Sequence, residues 1–186
     1  MIALTDAMQN PRQHPRFFGY GSLVNRSTHI YPDAQRARLE GWRRIWIKTP
    51  GRDVVFLSVQ PDATCAIDGL TARVPDADWD ALDTRETGYI RQIAPQFETE
   101  TWVYSVPENT HTNDGPHVIL RSYLDVVAQG FLIEFGESGV ADFFASTDNW
   151  HIPILDDRAA PRYSRHQSLS PAETELIDHH INLLSS

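Results

Sequence analysis

The feature that most constrains the fold is a series of short β-type segments between residues 16 and 107, each bent or closed by glycine or proline. "RFFGYGSL" is an apolar run that ends at Gly19 and Gly21. "ARLEGWRRIWIKT" (37–49) alternates β-branched and aromatic residues around Gly41, where a bend or bulge is expected. "DVVFLSVQP" (53–61) is a compact apolar strand closed by proline, and "CAIDGLTARVP" (65–75) alternates around Asp68 and Gly69. After Gly88 come two more strand-like stretches, "YIRQIAPQF" and "ETWVYSVP". Five or six such strands with a single inserted helix do not make a doubly wound parallel sheet. They predict an α+β fold built on a small mixed β-barrel, closed or half closed, with helices packed outside.

The inserted helix is "PDADWDALDTRE" (75–86), with Pro75 and Asp76 at its start and Trp79 and Leu82 one turn apart. The second half of the chain is helical. "PHVILRSYLDVVAQG" places Leu120, Tyr123, Leu124, Val127 and Phe131 on one face, which should dock on the sheet. "SGVADFFAST" predicts a further helix, and "SPAETELIDHHINLL" a last one with Ser170 as N-cap, Pro171 at its first position and Glu173 and Glu175 in its first turn. The expected organisation is a flexible arm over 1–15, a main domain over 16–147 and a loop-and-helix extension over 148–186.

Composition narrows the function. With 41% hydrophobic and 22% charged residues the 186-residue chain is ordinary globular protein. No apolar run has the length of a membrane span, and the polar, prolyl start "MIALTDAMQNPRQHPR" has no apolar core of a secretory signal. A single cysteine, Cys65, makes no internal disulfide, and a cytoplasmic location is the expectation. A formal charge of −9 argues against nucleic acid as partner. The basic cluster Arg36, Arg38, Arg43, Arg44 and Lys48 is expected to be solvated edge charge. Among eight histidines, none gives the i, i+4 pair of a helical zinc site: His111 and His117 flank a Gly-Pro loop, and His179 and His180 are adjacent. No metal site is expected.

Two stretches carry chemistry. "FFGYGSLV" fails the nucleophile-elbow pattern, because Ser22 is flanked by Tyr20 and Val24 where glycines are required. It fails the dinucleotide fingerprint too, since Val24 stands where the third glycine belongs. A strand that ends Gly-Ser does leave successive backbone N–H groups able to cradle a carboxylate or an oxyanion. The plainer alternative is a tight turn capped by Ser22. In "ALDTRETGYIR", Glu86 falls at a helix C-terminus, where the dipole disfavours a carboxylate and raises its pKa toward the range of a general base. Its plainer alternative is a surface pairing with Arg85 or Arg91.

Taken in order, a Y-G-S-L strand end near the N-terminus and a downstream L-D-x-x-E-x-G-Y resemble the gamma-glutamylcyclotransferase-like superfamily over residues 17–135. "RETGY" and "GWRRIW" look more like its glutathione-degrading branch, while "SYLDVVAQG" is similar to its general branch. The resemblance implies a small barrel with flanking helices and a cofactor-independent cyclisation of a small-molecule gamma-glutamyl substrate to 5-oxoproline. It assigns Tyr20, Gly21, Ser22 and Leu23 to substrate binding, Glu86 to catalysis, and Tyr123 as a candidate pocket residue. A non-catalytic gamma-glutamyl or small-molecule binding protein of the same fold is the reading from another class.

Overall fold

A computed structural model describes residues 14–48, 52–110 and 117–184. Most of the expected N-terminal arm, and His111, lie outside the described residues. The chain begins with β1 (Arg16–Gly19), β2 (Gln35–Lys48) and β3 (Val54–Arg73). β3 pairs antiparallel with both β1 and β2 and is the spine of the sheet. Next come α1 (Asp80–Arg85), β4 (Ile90–Ile93) and β5 (Thr101–Ser105). β4 and β5 form an antiparallel pair, and β5 joins β1 in parallel. β6 (Val118–Leu120) then leads directly into α2 (Arg121–Ala145), followed by β7 (Thr147–Asp148), β8 (Ile154–Leu155) and α3 (Pro171–Leu183). The strands form one mixed sheet in the order β4-β5-β1-β3-β2-β7, with β6 and β8 added beside β3. Over the described residues the fold is α+β, a large mixed sheet with three α-helices.

Several expected boundaries shift for identifiable reasons. The strands expected at 53–61 and 65–75 are one strand of 20 residues. Pro61 does not end it, because it pairs with Trp42 where the register already jumps from Glu40 to Trp42 across Gly41 (φ 77°). A proline costs little where the ladder is already interrupted. The helix expected over 75–86 is α-helical only from Asp80. Before it, Pro75–Ala77 make a 3₁₀ turn in which Asp76 and Ala77 have positive φ. The helix expected from residue 116 begins at Arg121, because Val118 and Ile119 lie in parallel beside Val54 and Val55. That helix and the one expected over "SGVADFFAST" are a single element, α2, broken at Gly136 (φ 72°).

The main core lies between the sheet and α2, where Leu124, Val126, Val127 and Phe131 pack against Val55, Leu57 and Trp46 from the strands. Burying each such side chain is worth about 1.5–3 kcal/mol, enough to hold a helix whose N-cap residue, Leu120, offers no side-chain bond. A smaller cluster of Phe17, Leu23, Ala72, Val74, Leu82 and Tyr104 seats α1 against β1. The C-terminal stretch belongs to the main core as well, contributing Ile152, Tyr163 and Ile177. α3 starts as its sequence predicts, with a Ser170–Glu173 capping box and Pro171 in the first turn.

One basic residue overturns the expectation of solvated edge charge. Arg44 is only 1% exposed. Its guanidinium donates to the carbonyls of Tyr20 (2.9 Å) and Asp68 and to Ser146 Oγ (2.7 Å). It also lies 4.7 Å from the ring centre of Phe131. Burial pulls its pKa down to about 9 despite the opposing charge of Asp68. His179 and His180 are neighbours on α3, where His180 stacks on Phe144. Among the described residues, no helix is long and apolar enough to cross a membrane.

Candidate active site

The turn after β1 is built by steric necessity. A Cβ on Gly19 would stand 2.6 Å from Leu23 Cβ, so this glycine lets the chain fold back on itself rather than admitting a ligand. Ser22–Val24 form a 3₁₀ turn whose first bond runs from the Val24 N–H to the Gly21 carbonyl (2.9 Å). The Ser22 and Leu23 amides precede that bond and have no acceptor within the turn. The turn is held from two sides. Arg44 grips the Tyr20 carbonyl, and buried Asn25 donates to the Val126 carbonyl (3.1 Å) and Gln129 Oε1 (3.0 Å) on α2.

Gly19 and Gly21 both line the cavity, and Gly21 is the one that stands against Tyr123. A Cβ there would lie 3.0 Å from the Tyr123 hydroxyl and 3.4 Å from Leu57 Cδ1. Tyr123 is buried edge-on between Phe56 and Tyr163, with ring centres 5.0 Å from each. Tyr89 donates its hydroxyl to the Leu57 carbonyl (2.7 Å), and Tyr20 donates to the Tyr104 carbonyl (2.6 Å). The Tyr20 side chain is therefore wall, and what that residue offers the turn is backbone. Burial pushes the hydroxyls of Tyr20, Tyr89 and Tyr123 far up in pKa, so all three are neutral donors.

Glu86 caps the C-terminus of α1, its N–H donating to the Leu82 carbonyl (2.9 Å). Its side chain is 18% exposed. Burial pushes the carboxyl up, opposed by the charges of Arg85, Arg165 and Arg52 in decreasing order. The raised pKa expected from the sequence has a different cause from the one expected: α1 has only six residues, and desolvation rather than a helix dipole is responsible. Arg85 sits 3.3 Å from Glu86 Oε1 and is itself 8% exposed. It is not a surface partner, because its other nitrogens donate to the Thr28 carbonyl (2.7 Å), Thr28 Oγ1 (3.0 Å) and Ser22 Oγ (3.2 Å). Arg91 pairs instead with Asp83, 3.0 Å away.

These groups converge on one cavity of about 300 Å³, the lower end of the size range for small-molecule sites. Tyr20, Gly21, Ser22, Leu23, Glu86 and Tyr123, singled out in the sequence, all line it. So do groups the sequence did not single out: Arg85 and Tyr89 on either side of Glu86, Arg52 before β3, and Arg162, Tyr163 and Arg165 from the loop ahead of α3. Arg85 and Tyr89 could have been suspected from their position beside Glu86. Nothing local marks the others, which arrive through tertiary packing. Among the described residues no group of three or more His, Cys, Asp or Glu side chains is placed to hold a metal ion.

No family model matches the sequence, and no curated protein matches it either. Solved structures do. A protein titled gamma-glutamyl cyclotransferase is 14% identical, with a TM-score of 0.56 over 88% of this chain and 98% of its own. A Homo sapiens protein titled as uncharacterized is 14% identical, with a TM-score of 0.58 over 89% and 99%. YkqA from Bacillus subtilis is 16% identical, with a TM-score of 0.53 over 91% of this chain and 54% of its own. The chain thus has the fold of the gamma-glutamyl cyclotransferases and their structural relatives.

Proposed function

We propose that this protein cyclises the gamma-glutamyl group of a small peptide or amine to 5-oxoproline and releases the amine. One observation carries the reading: a largely buried carboxylate, Glu86, shares a cavity of about 300 Å³ with Ser22 and Leu23, whose amides have no acceptor within their own turn. A binding pocket for an anion would gain nothing from a desolvated carboxylate beside its donors. A proton-transfer site needs one.

The reaction asks little of the protein because the substrate carries its own nucleophile. The α-amine attacks the γ-carbonyl, a C–N bond closes the five-membered lactam, and the bond to the departing amine breaks. Glu86 takes one proton from the α-ammonium to free the amine, and after attack the ring nitrogen sheds a second. Both pass by way of Glu86 to the leaving nitrogen, which departs as the ammonium, so the balance closes without water. Folding the substrate into the cyclising geometry is worth on the order of 7–11 kcal/mol for a well-oriented intramolecular attack. The Ser22 and Leu23 amides hold the substrate or its oxyanion, and the Gly21 backbone keeps the Tyr123 hydroxyl close. Burial suits Glu86 to this role, since it raises the proton affinity of the carboxylate above that of a solvated one. Ser22 acts here through its backbone, its hydroxyl being engaged by Arg85.

The direct test is 5-oxoproline release from glutathione, gamma-glutamyl dipeptides and gamma-glutamyl-lysine, with Glu86→Gln alongside. Release that disappears in the variant supports the assignment. Binding of gamma-glutamyl ligands without release from any of them assigns the protein to the binding class instead.

A further inference from the structure

The mouth of the cavity carries a charge pattern that the cyclisation itself does not use. Four arginines line the cavity, Arg52, Arg85, Arg162 and Arg165, against a single acid, Glu86, in a chain whose formal charge is −9. An excess of positive charge gathered at one concavity of an acidic protein marks the sign of what enters it. Arg85 is committed inward to Glu86, Ser22 and Thr28. The other three form the outer rim. Arg52 is steadied by the Thr87 carbonyl (3.2 Å) and the face of Phe56 (5.4 Å). Among the described residues Arg162 pairs with Asp53 alone, a side chain 74% exposed. Arg165 is exposed and makes no ion pair among the described residues, yet its charge reaches Glu86.

The chain that carries Arg162 and Arg165 is also held by its backbone. Tyr163, between them, is buried against Tyr123 and Phe56, and its N–H donates to Ser122 Oγ (3.2 Å). The Arg162 N–H donates to Asp157 Oδ2 (2.9 Å). The backbone that carries both cations is thus anchored at and just before an aromatic plug in the cavity wall.

We infer that Arg165, with Arg52 and Arg162, forms a subsite for a carboxylate on the leaving amine, so that the substrates are gamma-glutamyl amino acids or peptides rather than gamma-glutamylamines. This rests on the cyclisation proposed above, in which the turn amides hold the gamma-glutamyl end and leave the rim for the departing group. Arginine is suited to the task because its planar fork meets a carboxylate with two parallel N–H bonds.

The experiment compares kcat/KM for 5-oxoproline release from three probes: a gamma-glutamyl dipeptide, its C-terminal amide and a gamma-glutamyl diamine. The dipeptide should exceed its amide by about tenfold or more, the scale of one charge-assisted hydrogen bond. In Arg165→Ala that ratio should fall toward one, in Arg165→Lys it should be partly restored, and in Arg165→Glu the preference should move toward the diamine. Equal turnover of dipeptide and amide by the unaltered protein overturns the inference and leaves the cyclisation standing. So does a ratio unmoved by all three substitutions. Absence of release from every probe overturns both.

Discussion

Glu86, in the cavity wall, and Asp157, in the loop ahead of α3, are both largely buried carboxylates, and they are built in opposite ways. Asp157 accepts from the Ser122 N–H (2.7 Å), from Ser122 Oγ (2.5 Å) and from the Arg162 N–H (2.9 Å). Burial alone would push its carboxyl up, but these bonds outweigh it and hold the pKa below the usual carboxylate value. It stands at the start of α2, whose own N-cap residue offers no side-chain bond, and so supplies from a distant loop the cap that α2 lacks. Glu86 has Arg85 at 3.3 Å, shared with Ser22 and Thr28, and burial wins. One carboxylate is satisfied and works as a rivet. The other keeps a proton affinity raised by burial, which is what the proposed role in proton transfer asks of it.

The largest effect that could break this contrast is on activity. Glu86→Gln should lower kcat by about 10²–10⁴-fold, the range for losing a general base, in an assay of 5-oxoproline release. Near-full turnover would make Glu86 a structural residue like Asp157.

Next in size is stability. Asp157→Ala leaves three donors without their acceptor and should cost about 2–4 kcal/mol in urea unfolding, whereas Glu86→Gln should cost little or nothing. Equal losses in the two variants would erase the distinction.

A smaller effect is on the pH profile. After burial, Arg85 is the strongest influence on Glu86, and it favours the ionised form. Arg85→Gln should therefore move the acidic limb of kcat/KM to higher pH, and Arg85→Lys should move it less. An unshifted limb in Arg85→Gln would detach Glu86 from the titration.

The smallest is the pH dependence of stability, in which the two carboxylates have opposite signs. Glu86 has a raised folded pKa, so its stabilising contribution is complete below the unfolded value and is lost as pH rises through the folded one. Asp157 has a depressed folded pKa, so its contribution is present above the unfolded value and is lost as pH falls through the folded one. Glu86→Gln should be at its most stable relative to the unaltered protein near neutral pH and lose that advantage on mild acidification. The deficit of Asp157→Asn should instead be largest near neutral pH and shrink only below about pH 4, the ordinary aspartate range. Parallel profiles would show that the two sites are not electrostatically distinct.

Much of this was legible in the chain because it is local. Gly-bent strands, the Ser170–Glu173 cap and the Gly-Tyr-Gly-Ser turn follow from the backbone preferences of neighbouring residues, and the sheet and α3 formed accordingly. The conjunction of Tyr20–Leu23 with Glu86 and Tyr123 was legible through the order of two motifs, and one cavity does unite them. Length misled where tertiary partners override local signals: Pro61 sits inside β3 because the ladder breaks opposite it, and Val118–Leu120 are a strand because β3 offers them an edge.

Charge placement is what only the tertiary structure decided. Five basic residues in and around β2 look alike in sequence, yet Arg44 is buried behind the Tyr20 turn while Arg36 and Arg38 are largely solvated. Nor does "ILDDRAAPRYSR" announce that Asp157 caps α2, that Tyr163 plugs the cavity wall, or that Arg165 stands at its mouth. Backbone preference is set within a few residues of chain, so the sequence alone determined the turn, the strands and the caps. Desolvation and long-range charge depend on which distant groups share a volume, and they became definite only when the loop before α3 closed against Tyr123 and Glu86.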